Sequence, residues 1–170
     1  MSGSDGYRGA LGAFPYAVRA SDSWLFRSYA VVGGLVAAFA AAVFAFGLVG
    51  LLGSTAGVTG GTFALSRAFF VVVALLVVAP LVAPVLLVAR RHRLGYGRPG
   101  YDRALAAAGY LFVVALYAAL VVTTPPGLRE PPSGVLAPLV RALYAADPAL
   151  AALPLAVGAA SVVIAHRRYR

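Results

Sequence analysis

No cysteine occurs in the chain. That excludes disulfides, thiolate catalysis, cysteine-type zinc sites and a lipid-modified cysteine anchor. Charge is scarce as well: 11% of the 170 residues are charged, against about 25% in an ordinary soluble domain. A soluble fold of this size would lack the polar side chains to cover its surface. Acids are the scarcest, with only Asp5, Asp22, Asp102, Glu130 and Asp147 present. None lies inside an apolar run. Proton relays and ion-coupled transporters place ionisable groups within the membrane, so this distribution argues against a pump or a coupled transporter. Lysine, asparagine and glutamine are missing, and all 14 basic residues are arginine. No nucleophile elbow, phosphate-binding loop, zinc-protease motif or dinucleotide fingerprint is found. The chain is therefore not expected to be an enzyme, and no cofactor is expected.

What remains is apolar and basic: 62% hydrophobic residues and a net charge of +9. The arginines sit at the ends of apolar runs, where they stop the runs and face lipid headgroups, so nucleic acid is not an expected partner. The clearest such junction is Val85-Leu86-Leu87-Val88-Ala89-Arg90-Arg91-His92-Arg93. His92, His166 and Asp102 are of metal-ligand type, but no local spacing joins them, and no metal site is expected.

Residues 1–20 form a tail rich in Gly and Ser, with Tyr7, Phe14 and Tyr16 interleaved with Arg8 and Arg19. It suits a segment at headgroup level, frayed over residues 1 to about 10. The remainder, 21–170, reads as one transmembrane domain with helices at about 25–52, 66–89, 103–124 and 148–166, each near the roughly 20 residues a span needs. The first run is too long for a cleaved signal and reads as a retained helix. Ser21-Asp22-Ser23 is a helix N-cap signal, and Trp24, Phe26 and Tyr29 form an interfacial belt. Gly33, Ala37 and Ala41 recur every four residues, as do Gly34, Ala38 and Ala42, giving faces that admit close helix approach. Gly53 to Gly61 is a turn outside the bilayer. Pro80 and Pro84 lie within the second run on one face and predict a kink, either a hinge or a static bend. Residues 90–103 form a central loop. In the third run, Tyr110 and Tyr117 share a face, and a hydroxyl there is expected to hydrogen-bond within the bundle. Val135, Leu136, Leu139, Val140 and Leu143 repeat at helical spacing, which predicts a short amphipathic surface helix or a re-entrant segment. Asp147-Pro148 then starts the last helix.

Leu11-Gly12-Ala13-Phe14-Pro15-Tyr16, Leu25-Phe26-Arg27-Ser28-Tyr29, Pro84 to Arg93 and Tyr101-Asp102-Arg103-Ala104-Leu105 resemble segments of an uncharacterised family of small four-helix membrane proteins of halophilic archaea. The resemblance covers most of the chain. It implies a cell-membrane protein of a high-salt organism, and none of its segments carries a known chemical role. One departure stands out: soluble proteins of such organisms are acidic, whereas this chain is basic, as membrane-anchoring regions can be.

The expected fold is all-α, with four transmembrane helices and one short amphipathic helix before the last. The expected function is non-catalytic: a subunit, anchor or scaffold that packs laterally against other membrane helices. The alternative is a small channel or transporter component. The expected partners are a bilayer with anionic headgroups and a second membrane protein or further copies of the chain. Headgroup contacts fall to Arg90, Arg91, Arg93, Arg98, Arg167 and Arg168, each worth about 1 kcal/mol near a charged surface. Four spans place Arg8, Arg19, Arg27, Arg90, Arg91, Arg93, Arg98, Arg103, Arg167, Arg168 and Arg170 on one side, and only Arg67, Arg129 and Arg141 on the other. Because short cytoplasmic loops carry the basic excess, both termini are expected in the cytoplasm.

Overall fold

The structure is a computed structural model that describes residues 9–56 and 61–169. It is 85% helix, with no strand among the described residues. In chain order the helices are α1 (Gly9–Ala20), α2 (Trp24–Ser54), α3 (Gly61–Arg93), α4 (Pro99–Val122), α5 (Ala137–Ala145) and α6 (Ala152–Tyr169). A 3₁₀ turn at Pro148–Ala151 runs directly into α6. Four of these helical units, α2, α3, α4 and Pro148–Tyr169, are long and apolar enough to cross a membrane.

Local chemistry sets the ends. Ser23 caps α2 by accepting a hydrogen bond from the Phe26 amide at 3.3 Å. The Asp147 carboxylate does the same for Ala149 at 2.8 Å, with Pro148 in the first helical position. At the far end of α3 the chain closes a Schellman motif. The Gly95 amide bonds the His92 carbonyl, and the Tyr96 amide reaches the Arg91 carbonyl at 3.1 Å. Gly95 makes this possible, because its φ of 77° lies where a side chain would be strained. The expected loop over residues 90–103 is thus reduced to 94–98. Arginines do not break a helix whose backbone bonds persist, and in a last turn they offset the negative dipole end. Pro99, with its preset φ, then starts α4.

The main core lies at the end of the bundle where α3 finishes and α4 begins, hereafter the basic end. Phe26, Tyr29, Val85, Val88, Tyr101, Leu105 and Val162 meet there, joined by Ala13 and Ala17 of α1. Residues 9–20 are therefore not a surface tail. Ala13 and Ala17, four apart and fully buried, dock one face of α1 on α3, and the Phe14 ring reaches Gly34 of α2. The Gly- and Pro-containing composition masks this helical spacing. Of the frayed stretch expected over residues 1–10, residues 1–8 lie outside the described residues.

Tyr29 ties the middle of the bundle together. Its ring lies against Gly33 and Gly109, and a Cβ at Gly109 would overlap it. Its hydroxyl donates to the Leu81 carbonyl at 2.7 Å. That carbonyl adjoins the one that Pro84, having no N–H, leaves without its helical donor. α3 is continuous through both Pro80 and Pro84. Tyr110 packs edge-on to Tyr29 and donates to Ser28 Oγ at 2.9 Å. Tyr117 stays on nearly the same face, about 20° from Tyr110 over seven residues, yet is exposed at its level of the bundle. α6 packs closely on α4, with Gly158 against the Phe112 backbone.

Away from the basic end the α2–α3 hairpin stands apart. Only 6% of the most apolar stretch of α2 is buried. Phe44 and Phe70 hold the two helices edge to face, while Phe39, Val43, Phe46 and Val49 point outward. The arginines at this end are tied to backbone. Arg67 donates to the Thr55 carbonyl and hydroxyl behind α2. Arg129 joins the Thr124 and Tyr144 carbonyls, folding the segment that leads into α5. Much of the expected α5 stripe is exposed, including Val135, Leu136 and Leu139.

Candidate functional site

Polar side chains converge only weakly along the bundle, and strongly at the basic end. Asp102, in the first turn of α4, is fully buried. Its Oδ2 accepts from Ser21 Oγ at 2.5 Å and faces His92 Nε2 at 2.8 Å. Three chain segments meet at this one oxygen: the α1–α2 linker, the last turn of α3 and the first turn of α4. The linker is held further by the Arg27 Nε donating to the Ser21 carbonyl at 2.7 Å. Gly97 passes so close to the His92 ring that a Cβ there would collide with it. Oδ1 of Asp102 is buried and accepts no hydrogen bond from the described residues.

Serine, histidine and aspartate are the members of a hydrolytic triad, but their order differs here. In a triad the hydroxyl bonds the imidazole, which removes its proton. Here Ser21 donates to the carboxylate instead, and its hydroxyl is fully buried. The arrangement is a clamp on three segments.

The second feature is a pocket of about 390 Å³ between the ends of α3 and α6 and the start of α4, lined by Leu87, Arg90, Arg91, Leu94, Tyr96, Tyr101 and His166. Arg91 is fixed on two sides. Its guanidinium lies 4.4 Å above the centre of the Tyr101 ring, and its Nε donates to the Tyr96 carbonyl at 2.8 Å. The Schellman turn presents that carbonyl. Tyr101 is held in turn by its hydroxyl against His166 Nδ1 at 2.8 Å. Tyr101 and Asp102 are consecutive, so one turn of α4 sends the phenol into the pocket and the carboxylate into the clamp.

Of the arginines expected to meet headgroups, Arg90 and Arg91 line this pocket. Arg93 and Arg98 flank the 94–98 turn, and Arg167 and Arg168 are exposed in the last turn of α6. His92 does meet Asp102, whereas His166 pairs with Tyr101, and no three metal-ligand residues gather among the described residues. Ser21, Tyr96 and Tyr101 carry no sequence signal as site residues, because their partners lie elsewhere in the chain. Asp102 carried a partial one, as the sole acid within the Arg-rich 90–103 stretch.

No curated protein and no solved structure matches the chain at a significant level. A family model does match, over residues 1–170. The chain belongs to the family described as Domain of unknown function (DUF8056).

Proposed function

We propose that the chain is a multi-pass protein of the cell membrane with a non-catalytic role, a subunit, anchor or scaffold that packs laterally against other membrane helices. The observation that carries this reading is the α2–α3 hairpin. Its outer half is apolar apart from Ser54, Ser66 and Arg67 near its tip and is largely uncovered by α4 and α6, forming one wall of an apolar groove of about 470 Å³ that includes Phe39, Phe44, Leu116 and Leu155. In water that surface would drive aggregation; in a bilayer it meets lipid or another helix. Trp24, Tyr96 and Tyr169 are exposed at the basic end, where aromatic side chains sit at headgroup level. That end takes the larger share of arginines, and on the basic-excess rule it faces the cytoplasm together with both termini. The resemblance to halophilic archaeal proteins supports a high-salt source.

A channel or transporter component is the second reading, and the apolar groove is the observation that favours it. The buried carboxylate weighs the other way, since it sits at the end of the bundle and is held by its neighbours. Extraction in mild detergent, followed by mass spectrometry of the intact complexes, tests the choice. A stoichiometric membrane partner or a defined oligomer is expected. Solute flux in liposomes that contain this protein alone would replace the scaffold reading with the channel reading.

A further inference from the structure

We propose that the pocket at the basic end is a built site for the phosphate-bearing headgroup of an anionic phospholipid. The proposal rests on the membrane reading above and goes beyond it. Scattered surface arginines attract any anionic bilayer, whereas this pocket selects one headgroup at one place.

Charge comes first. Arg90 and Arg91 supply two permanent positive charges to a pocket whose lining contains no acid. Asp102, the nearest carboxylate in sequence, points away into the clamp and is saturated on Oδ2 by Ser21 and His92. The helix ends act in both directions. The ends of α3 and α6 each bring about half a negative charge, and the start of α4 returns about half a positive one. The two guanidiniums exceed that deficit, so the pocket favours an anion.

Geometry comes second. A planar guanidinium matches two oxygens of a phosphate, and Arg91 is already held by the Tyr101 ring and the Tyr96 carbonyl. Fixing the side chain beforehand removes ordering entropy that binding would otherwise cost. His166 and Tyr101 add polar atoms to the same wall.

The lining also separates a lipid from a free ion. Leu87 forms an apolar part of the pocket one turn of α3 nearer the bilayer than Arg90 and Arg91, and Leu94 adds to it from the turn beyond the helix. A phosphate ion has no use for that wall. A phospholipid places its glycerol and first methylenes there while the phosphate meets the arginines. Basic pockets between helices at the cytoplasmic side bind headgroups in this manner.

The test uses full-length protein purified in mild detergent, with phosphatidylglycerol, phosphatidylcholine and inorganic phosphate as probes and binding read by native mass spectrometry and thermal shift. Saturable binding of phosphatidylglycerol, and not of phosphatidylcholine, is expected. Two double variants carry the decision: Arg90→Ala/Arg91→Ala in the pocket and Arg98→Ala/Arg168→Ala on the nearby surface. Both remove two charges, so simple surface attraction predicts equal losses. The pocket predicts a loss of about a hundredfold or more for the first pair, because charge-assisted hydrogen bonds to the phosphate go with the two charges, and much less for the second. If the first pair does not yield folded protein, Arg90→Ala alone serves, since its exposed side chain has little role in packing; a loss several times that of Arg98→Ala is then expected. Equal losses for the two pairs overturn the proposal. Inorganic phosphate binding with the same variant dependence, and without any lipid preference, overturns the lipid assignment in favour of a free anion. Recovery of the protein in the aqueous fraction of lysed cells would overturn the membrane reading itself, a separate failure.

Discussion

Removing the Asp102 carboxylate leaves both Ser21 Oγ and His92 Nε2 without their shared partner. Leaving a buried polar group without its hydrogen-bond partner costs about 1–3 kcal/mol. Asp102→Ala is therefore expected to lower stability by about that amount in a thermal scan in detergent. Asp102→Asn, whose amide oxygen can take the place of Oδ2 towards both Ser21 and His92, should lose much less. Equal losses would mean that the charge, and not the hydrogen-bond geometry, holds the segments together. Tyr29 allows a second comparison. Tyr29→Phe forfeits one hydrogen bond to Leu81, worth about 0.6 kcal/mol on average between membrane helices. Gly109→Ala instead pushes a methyl group into the ring, an overpacking defect of about 1–3 kcal/mol. The glycine variant is expected to be the more damaging, and the reverse order would show that the ring has room to move. Neither pairing was legible in the sequence. Asp102 reads there as a first-turn acid, and its real partners lie ten and 81 positions away.

Among the elements, the long apolar runs were legible because length and hydropathy alone specify a span. The short elements were not, because packing decides them. The two glycines and Pro15 of α1 obscure its helical signal, yet its buried Ala13 and Ala17 join Phe26, Val85 and Val88 in the main core. Ala17→Leu places a bulky group in that contact, where overpacking costs about 1–3 kcal/mol. A lowered melting temperature with unchanged membrane insertion is expected; an unchanged melting temperature would mean that α1 is only loosely attached. The prolines of α3 form another element-scale case. Pro84 is fully buried and Pro80 partly so, both within one continuous helix. Replacing both with Ala restores two backbone donors, so the protein is expected to remain folded and inserted. Loss of folded protein would show that the packing of α2 and α4 requires whatever bend the prolines impose. The 94–98 turn is shorter than the charge pattern suggests, because the arginines do not stop α3 and Gly95 does.

For the whole molecule, the contacts of Ser21, His92, Asp102, Tyr101 and His166 bring the start of α2, the end of α3, the start of α4 and the end of α6 to one end. Arg67 and Arg129 lie at the other, each folded back onto backbone carbonyls. The division of arginines between the ends thus follows from the fold as well as from counting runs. The cytoplasmic side proposed for the basic end rests on the basic-excess rule. The chain has no cysteine, so single cysteines can be introduced without background. Gly100 is exposed in the first turn of α4 with open space around it, whereas Gly97 is blocked by His92. Ser133 is exposed in the segment before α5. The decisive measurement is labelling of Gly100→Cys and Ser133→Cys in intact cells by a membrane-impermeant thiol reagent. The account predicts that Ser133→Cys is labelled and that Gly100→Cys is labelled only after lysis. Labelling of Gly100→Cys with protection of Ser133→Cys would contradict the orientation, and equal labelling of both before and after lysis would contradict the membrane-spanning fold.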